Sequence, residues 1–197
     1  PVDSTSGISD CEECIHEIHL REDAEPKRFF SRPPKNPTMR KVEKIILKNA
    51  LGVYLKRTKA DEFSGWHSRS FSVDKNPGEN LVEPLSEVEI LKRFRRVVDL
   101  SVNNYVIPDS TPTPSAHEEC EKVAGKKFYA ETDWRSAYHQ VLLMLLSQVL
   151  TQHRTMEGVL QYTRLPQGLV NASQRLHRCQ RALFGALDGV AGYFDNN

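Results

Sequence analysis

Residues 126–197 constrain the fold more than any other part of the chain. They include KKFYAETDW at 126–134, LPQGLVNASQRLHRCQRALFGAL at 165–187 and GVAGYFDNN at 189–197. The first stretch reads as a strand that delivers Asp133 to its C-terminal end. The second begins as a loop and becomes a helix, with Leu176, Cys179, Leu183, Phe184 and Leu187 on one face and Asn171 as a candidate N-cap. The third reads as a strand running to a tip that holds Asp195. Two acids at strand ends, separated by a glycine-bearing loop and a long helix, suit the clamping of divalent metal, because two-metal phosphoryl transfer needs carboxylates from different strands to converge on ions about 4 Å apart. On spacing alone, a pair of ordinary turn aspartates is the plainer reading.

Upstream, the net charge of +1 hides an asymmetry. Residues 1–25 carry eight acids against one base, and residues 26–70 carry twelve bases against three acids. The basic stretch is a candidate polyanion-facing surface or a solvated lysine-rich face. IHEIHL at 15–20 alternates as a short strand, and the prolines of PKRFFSRPPKNP at 26–37 make it extended and irregular. A helix follows, with Thr38 as N-cap, Val42, Ile45, Ile46 and Val53 at helical spacing, and Gly52 at its end. Strands are expected at SRSFSV (68–73) and RFRRVVDL (93–100), with a turn at KNPG (75–78). Between them, ENLVEPLSEVEILK (79–92) stays open: Ser86 and Glu89 have capping-box spacing, whereas Val88, Ile90 and their alternation suit a strand. PDSTPTPS (108–115) is a connector, and no internal repeat is present.

The 197 residues, 39% of them apolar, suffice for one sizeable core or two modest ones. Four cysteines (Cys11, Cys14, Cys120, Cys179), unevenly spread, do not look like a secreted disulfide framework, which implies a reducing setting, cytoplasmic or nuclear. The longest apolar run, VLLMLLSQVL at 141–150, is shorter than the roughly 20 residues of a membrane span. A soluble chain without a membrane partner is therefore expected, and the run itself is expected to be a buried strand or helix rather than an exposed patch. The chain opens on Pro1 without Met and stops at Asn197 without a closing element, as a piece of a longer protein would. In CEECIHEIH, Cys11, Cys14, His16 and His19 are zinc-ligand types, but zinc fingers separate their ligand pairs by a long connector and this spacing does not. AGKKF at 124–128 lacks the full phosphate-loop spacing and reads as a turn.

Four stretches in order, RRVVDLSVNNYVIP (95–108), FYAETDWRSAYHQ (128–140), YTRLPQGLVNASQR (162–175) and YFDNN (193–197), resemble the reverse transcriptase of gypsy-type LTR retrotransposons. HEIHLREDAEP and the helix leading to LGVYL are similar to the entry of that domain's fingers. The resemblance implies an α+β fold with an acidic segment at 1–14, fingers at 15–107 and 141–164, and a partial palm at 108–140 and 165–197 with an antiparallel sheet and packed helices. The return strand of the catalytic hairpin, the thumb and the ribonuclease H domain would be absent.

Carried over residue by residue, the resemblance makes Asp133 the first catalytic aspartate, with the main-chain carbonyl of Trp134 as an extra metal ligand. Asp195 becomes the first aspartate of the tyrosine-x-aspartate-aspartate turn. Both would hold magnesium, two ions in the family, with manganese as an alternative. Tyr138 matches the aromatic gate under the nucleotide sugar, and the N–H groups of Ser136 and Ala137 would lie near the triphosphate. Gln167 matches the position that contacts the incoming nucleotide, where Gly168 allows a close backbone approach. Arg95 matches the fingers base that grips the triphosphate. Lys75 is the candidate second base, with Arg96 or Arg93 as substitutes, because 79–92 reads as an insertion. His139 belongs to the AYHQ stretch, and no serine elbow supports a hydrolase triad.

The implied chemistry is attack of a primer 3′-hydroxyl on the α-phosphate of a dNTP, templated by RNA or DNA, within a retroelement polyprotein. Bases at 27–59 would track the nucleic-acid backbone. Asn196 stands where the family has its second aspartate. One unit charge at about 4 Å is worth about 4 kcal/mol at an effective dielectric near 20, so impaired catalysis is expected, and with the return strand, the primer-gripping element and the thumb lying beyond these residues, little or no polymerase activity is expected of them alone. The alternative is a non-catalytic, degenerate or co-opted nucleic-acid-binding protein.

Overall fold

The computed structural model describes residues 14–79 and 84–193. In chain order the elements are β1 (Ile15–His16), α1 (Pro37–Ala50), β2 (Leu55–Arg57), β3 (Arg69–Asp74), α2 (Glu87–Arg93), β4 (Phe94–Asp99), α3 (Ala116–Val123), β5 (Leu142–Leu143), α4 (Leu145–Gln148), β6 (His153–Thr155), β7 (Gly158–Tyr162) and α5 (Ala172–Phe184). They form two compact units. Unit 1 takes the chain up to Arg21 together with Val106–Met144 and the residues from Arg164 onward; unit 2 takes Glu22–Tyr105 and Leu145–Thr163. The overall mix of helices and antiparallel sheets is the α+β class expected.

In unit 2, α1 starts two residues earlier than a Thr38 cap predicts. Asn36 accepts a hydrogen bond from the Thr38 amide at 2.8 Å, and Pro37 occupies the first helical position, where its missing N–H costs nothing. The helix ends at Ala50, so Val53 falls outside it and is 60% exposed. β2, β7 and β6 form an antiparallel sheet in that order, with Leu55 opposite Tyr162 and His153 opposite Leu160. β3 and β4 pair antiparallel over six positions, from Arg69 opposite Asp99 to Asp74 opposite Phe94.

Tertiary burial settles the end of the ambiguous 79–92 stretch, from Glu87 onward, as helix α2; residues 80–83 lie outside the described residues. Ser86 and Glu89 close a capping box, and Ile90 joins Val42, Ile46 and Phe94 in a buried cluster against which Met39, Ile45 and Leu85 pack. Val88 is 62% exposed, which a strand with Val88 and Ile90 on one face would not allow. Full burial of an Ile or Phe side chain contributes about 1.5–3 kcal/mol, more than a cap's ~1 kcal/mol, so the packing decides and the cap sets the start.

In unit 1, β1 and β5 pair in parallel through Ile15–Leu142 and His16–Leu143. Ser115 and Glu118 cap α3, and α5 buries Leu176 and Cys179. Leu183, in the last turn of the helix, and Leu187, beyond its end at Phe184, are exposed. The expected strand at 126–134 is not formed: Phe128 is 91% exposed, and Asp133 alone occupies a bridge position. A strand needs a neighbour for its N–H and C=O groups, and within the described residues no ladder covers this one. The stretch at 189–193 likewise has a single bridge residue, Tyr193; the rest of that expected strand lies outside the described residues.

The apolar run at 141–150 is also not uniformly buried. Val141 and Leu143 are, but Met144, Leu145 and Leu146 are 47%, 72% and 80% exposed, while Ser147 and Gln148 are buried. The run changes from strand to a helical turn at Leu145, and the change of period turns its leucines outward. Cys14 and Cys179 form a disulfide with Cα atoms 5.1 Å apart, a pairing for which their spacing offered no sign. Among the described residues no helix is long and apolar enough to cross a membrane.

Candidate active site

Unit 1 builds its candidate site on the turn that follows Asp133. The Asp133 residue is exposed. Trp134 lies edge-on to Phe184 of α5, ring centroids 5.6 Å apart, which anchors the start of the turn to the helix. Ser136 has φ 55°, the left-handed region, which costs an L-residue roughly 1–2 kcal/mol. Such strain persists only where surroundings fix it, and here the Ser136 carbonyl accepts from the His139 amide at 2.8 Å while the Ala137 amide donates to the Trp134 carbonyl at 3.1 Å. The expected phosphate donor Ala137 and the expected ligand carbonyl of Trp134 are thus bonded to each other within the turn.

The 3-10 turn Ala137–Gln140 holds Tyr138, whose hydroxyl lies 3.3 Å from the Ser173 hydroxyl in the first turn of α5. It also holds the LPQG loop. The Leu165 amide donates to the Val141 carbonyl at 2.9 Å, and His139 Nδ1 lies 3.1 Å from the Leu165 carbonyl. A carbonyl only accepts, so Nδ1 carries the proton. Burial lowers the pKa of His139, partly offset by that hydrogen bond. Arg164 adds a bond from its guanidinium to the Gln140 carbonyl at 3.2 Å. Four residues, His139, Gln140, Val141 and Arg164, therefore fix the exposed Gln167 relative to Tyr138. Gly168 has φ 88°, but a Cβ there would meet nothing within 4 Å. The backbone conformation by itself calls for glycine here, and no neighbouring group of the described residues crowds the position.

Asn171 does more than the sequence reading assigned it. It has φ 70° and does not cap α5 through its side chain. Instead its Oδ1 accepts from the Asp109 amide and its Nδ2 donates to the Ile107 carbonyl, both at 2.8 Å. Asp109 forms an ion pair with Arg178, one α5 face further on. Residues 107–109 are in this way strapped to the helix that follows Gln167. The only local signal was the Pro-Asp pair that opens the connector.

On unit 2, Arg95 is exposed on β4 opposite Val73. Lys75 follows β3, its amide bonded to the Arg93 carbonyl and its Nζ to the Lys92 carbonyl at 2.8 Å. The two proposed substitutes are committed elsewhere. Arg93 makes a forked contact to Asp74 at 3.0 Å and bonds the Asn76 and Glu79 carbonyls. Arg96 is buried, 2% exposed at its side chain, with Glu43 at 3.2 Å and the Ser70 hydroxyl at 2.5 Å.

Asp195 and Asn196 lie outside the described residues, as does Cys11. Among the described residues no group of three or more His, Cys, Asp or Glu side chains is placed to hold a metal ion. Of the zinc-ligand types considered at 11–19, the described ones are placed apart in role: Cys14 is bonded to Cys179, His16 is buried and His19 is exposed beside Glu17. Of the two aspartates assigned to the metal, the described residues include Asp133, exposed at the mouth of a turn. A cleft of about 930 Å³ bounded by α3, α5 and residues 185–192 contains none of the predicted site residues.

The fold is that of reverse transcriptases. Native prototype foamy virus protease-reverse transcriptase matches with a TM-score of 0.69 and 20% identity, over 88% of this chain and 21% of that one. A foamy viral protease-reverse transcriptase in complex with dsDNA matches at 0.69 and 18%, over 92% and 34%, and one in complex with an RNA/DNA hybrid at 0.67 and 16%, over 88% and 21%.

In sequence, the chain is similar to retrovirus-related Pol polyproteins of Drosophila melanogaster transposons. The identity is 34% over 85 residues to that of gypsy and 32% over 82 residues to that of opus, 43% and 41% of this chain. The matched stretch spans 8% of the length of each of these relatives. No protein-family model matches the chain. The chain is thus a homologue of transposon Pol polyproteins, gypsy among them, and fits a reverse-transcriptase segment of a gypsy-type element.

Proposed function

We propose that unit 1 serves as part of a palm and unit 2 as fingers of a reverse transcriptase that adds dNTP to a primer 3′-hydroxyl on an RNA or DNA template. The observation that supports this best is the hydrogen-bonded lattice of unit 1. It ties the Asp133 turn, the Tyr138 gate position and the Gln167 loop to one helix, as a nucleotide site requires if its groups are to be held to within a fraction of an ångström. Asp133, the Trp134 carbonyl and Asp195 would hold magnesium, which when bound neutralises the charge on the transferred phosphoryl group. Tyr138 would exclude a ribose 2′-hydroxyl, Gln167 would contact the nucleotide, and Arg95 with Lys75 would engage its phosphates.

A second reading, a non-catalytic nucleic-acid-binding protein, is favoured by one feature, the amide of Asn196 in place of a carboxylate. Primer extension and binding separate the two. Retention of a labelled primed template should weaken steeply with salt under either reading. Under the catalytic reading, magnesium-dependent extension exceeds that of Asp133→Asn, and Tyr138→Ala raises ribonucleotide incorporation relative to dNTP. Extension indistinguishable from Asp133→Asn, with binding intact, would select the non-catalytic reading. Absence of primed-template binding at low salt would overturn both.

A further inference from the structure

The first described segment of unit 1 is held by backbone pairing, including an antiparallel bridge from Leu20 to Val106, by the burial of Ile18, and by one covalent bond. β1 pairs with β5 through two residues only. Beyond the ladder, the Met144 amide donates to the His16 carbonyl and the Ile107 amide to the His19 carbonyl, each at 2.9 Å. His16 is 4% exposed, and neither ring nitrogen has a hydrogen-bond partner among the described residues. Arg175 and Arg178 of α5 and His19 act on it electrostatically, each opposing a further positive charge. Seating this ring is therefore unfavourable for the segment that carries it. Cys14, adjacent to β1, and Cys179, on the buried face of α5, are 0% and 1% exposed, and their Cα separation of 5.1 Å lies within the range a disulfide spans.

We propose that Cys14–Cys179 is a thiol–disulfide switch that clamps residues 14–20 onto unit 1 when oxidised and releases them when a dithiol reductant opens it. In the opening step a reductant thiolate attacks one cysteine sulfur, forming a mixed disulfide and expelling the other cysteine as a thiolate. The second thiol of the reductant then displaces the first cysteine, leaving a cyclic reductant disulfide and two cysteine thiols once the expelled thiolate takes a proton. A low-molecular-weight disulfide runs the exchange backwards. Because both sulfurs are buried, attack requires local opening of the β1–β5 pairing, so reduction is gated by that opening. The segment matters beyond itself: β5 directly follows the Ala137–Gln140 turn, and α5 carries Ser173 against Tyr138. The proposal rests on the disulfide and its surroundings and holds whether or not the chain handles nucleotides.

The test uses the full 197-residue chain equilibrated with oxidised or reduced dithiothreitol, trapped by alkylation and mapped by mass spectrometry without reduction. The oxidised chain should yield a Cys14–Cys179 linked peptide, while exposed Cys120 is alkylated in both states. Hydrogen exchange at the Met144 and Ile107 amides should be at least tenfold faster in the reduced chain. Cys14→Ser and Cys179→Ser should exchange like the reduced chain under both conditions, and Cys120→Ser like wild type. A link to Cys11 or Cys120 instead, no link at all, or equal exchange of the wild-type chain in its two redox states would overturn the proposal. The wild-type comparison stands even if a serine variant fails to fold.

Discussion

Removing Glu43 from beneath Arg96 tests how unit 2 is held together. The guanidinium is 2% exposed and its carboxylate partner 6%, at 3.2 Å. At an effective dielectric near 20, two unit charges at that distance attract by about 5 kcal/mol, and desolvating them consumes several kcal/mol per ion. The pair as a whole therefore contributes little, but taking away one partner leaves a buried charge with only the Ser70 hydroxyl, since Arg96 Nε has no partner among the described residues. Glu43→Ala should cost about 3–5 kcal/mol, a large share of the 5–15 kcal/mol typical of a domain.

Urea denaturation followed by Trp66 fluorescence in a Trp134→Phe background reads unit 2 alone, because the chain has two tryptophans and only Trp66 belongs to this unit. With a slope of about 2 kcal/mol/M the midpoint should fall by roughly 2 M. Replacing both partners, Glu43→Leu with Arg96→Met, should recover most of the loss. A loss under about 1 kcal/mol for Glu43→Ala would mean that water reaches the pair, and the reasoning would fail.

Burial holds the pKa of His153 down to about 3 and that of His16 to about 4, against 6.5 for the free side chain. The unfolded chain then binds more protons between those values and pH 6.5, so stability is full above pH 6.5 and falls by about 1.4 kcal/mol per pH unit per histidine as pH drops; urea midpoints at pH 7 and pH 5 for wild type, His16→Gln and His153→Asn check this, the variants being flatter. Asn171→Ala should destabilise unit 1 by about 2–3 kcal/mol through two lost hydrogen bonds and a left-handed alanine, with Asn171→Gly recovering only the backbone share in thermal melts. Gly168→Ala should cost about 1–2 kcal/mol from φ alone, and Gly168→Ser about the same, since no neighbour crowds the position; a cost-free substitution would contradict the backbone argument.

Local chemistry made much of this chain legible. Helix α1 was readable from the period of Val42 and Ile46, β3 and β4 from their alternation, and the loop before α5 from glycine, because a residue's own backbone preferences and the spacing of apolar side chains act within a few residues. Where two local rules disagreed, as at 79–92, only the burial of Ile90 against α1 could choose between them.

The candidate site divides the same way. The identity of Asp133, Tyr138 and Gln167 was present in the motifs. What holds the turn and the loop together, His139 and Arg164 across to Leu165 and Gln140, was not. The same is true of Asn171 gripping residues 107–109, of Arg96 buried on Glu43 rather than open to phosphate, and of Cys14 meeting Cys179 across 165 residues. Each is a contact between distant parts of the chain whose partners are interchangeable in composition and become specific only once packing brings one pair, and not another, within a few ångströms out of water. The sequence by itself determined elements such as α1, β3 and β4 and which residues carry reactive groups; the tertiary structure decided that Glu87–Arg93 is a helix, that 126–134 is not a ladder strand, and which reactive groups are spent on holding the fold and which are left facing solvent.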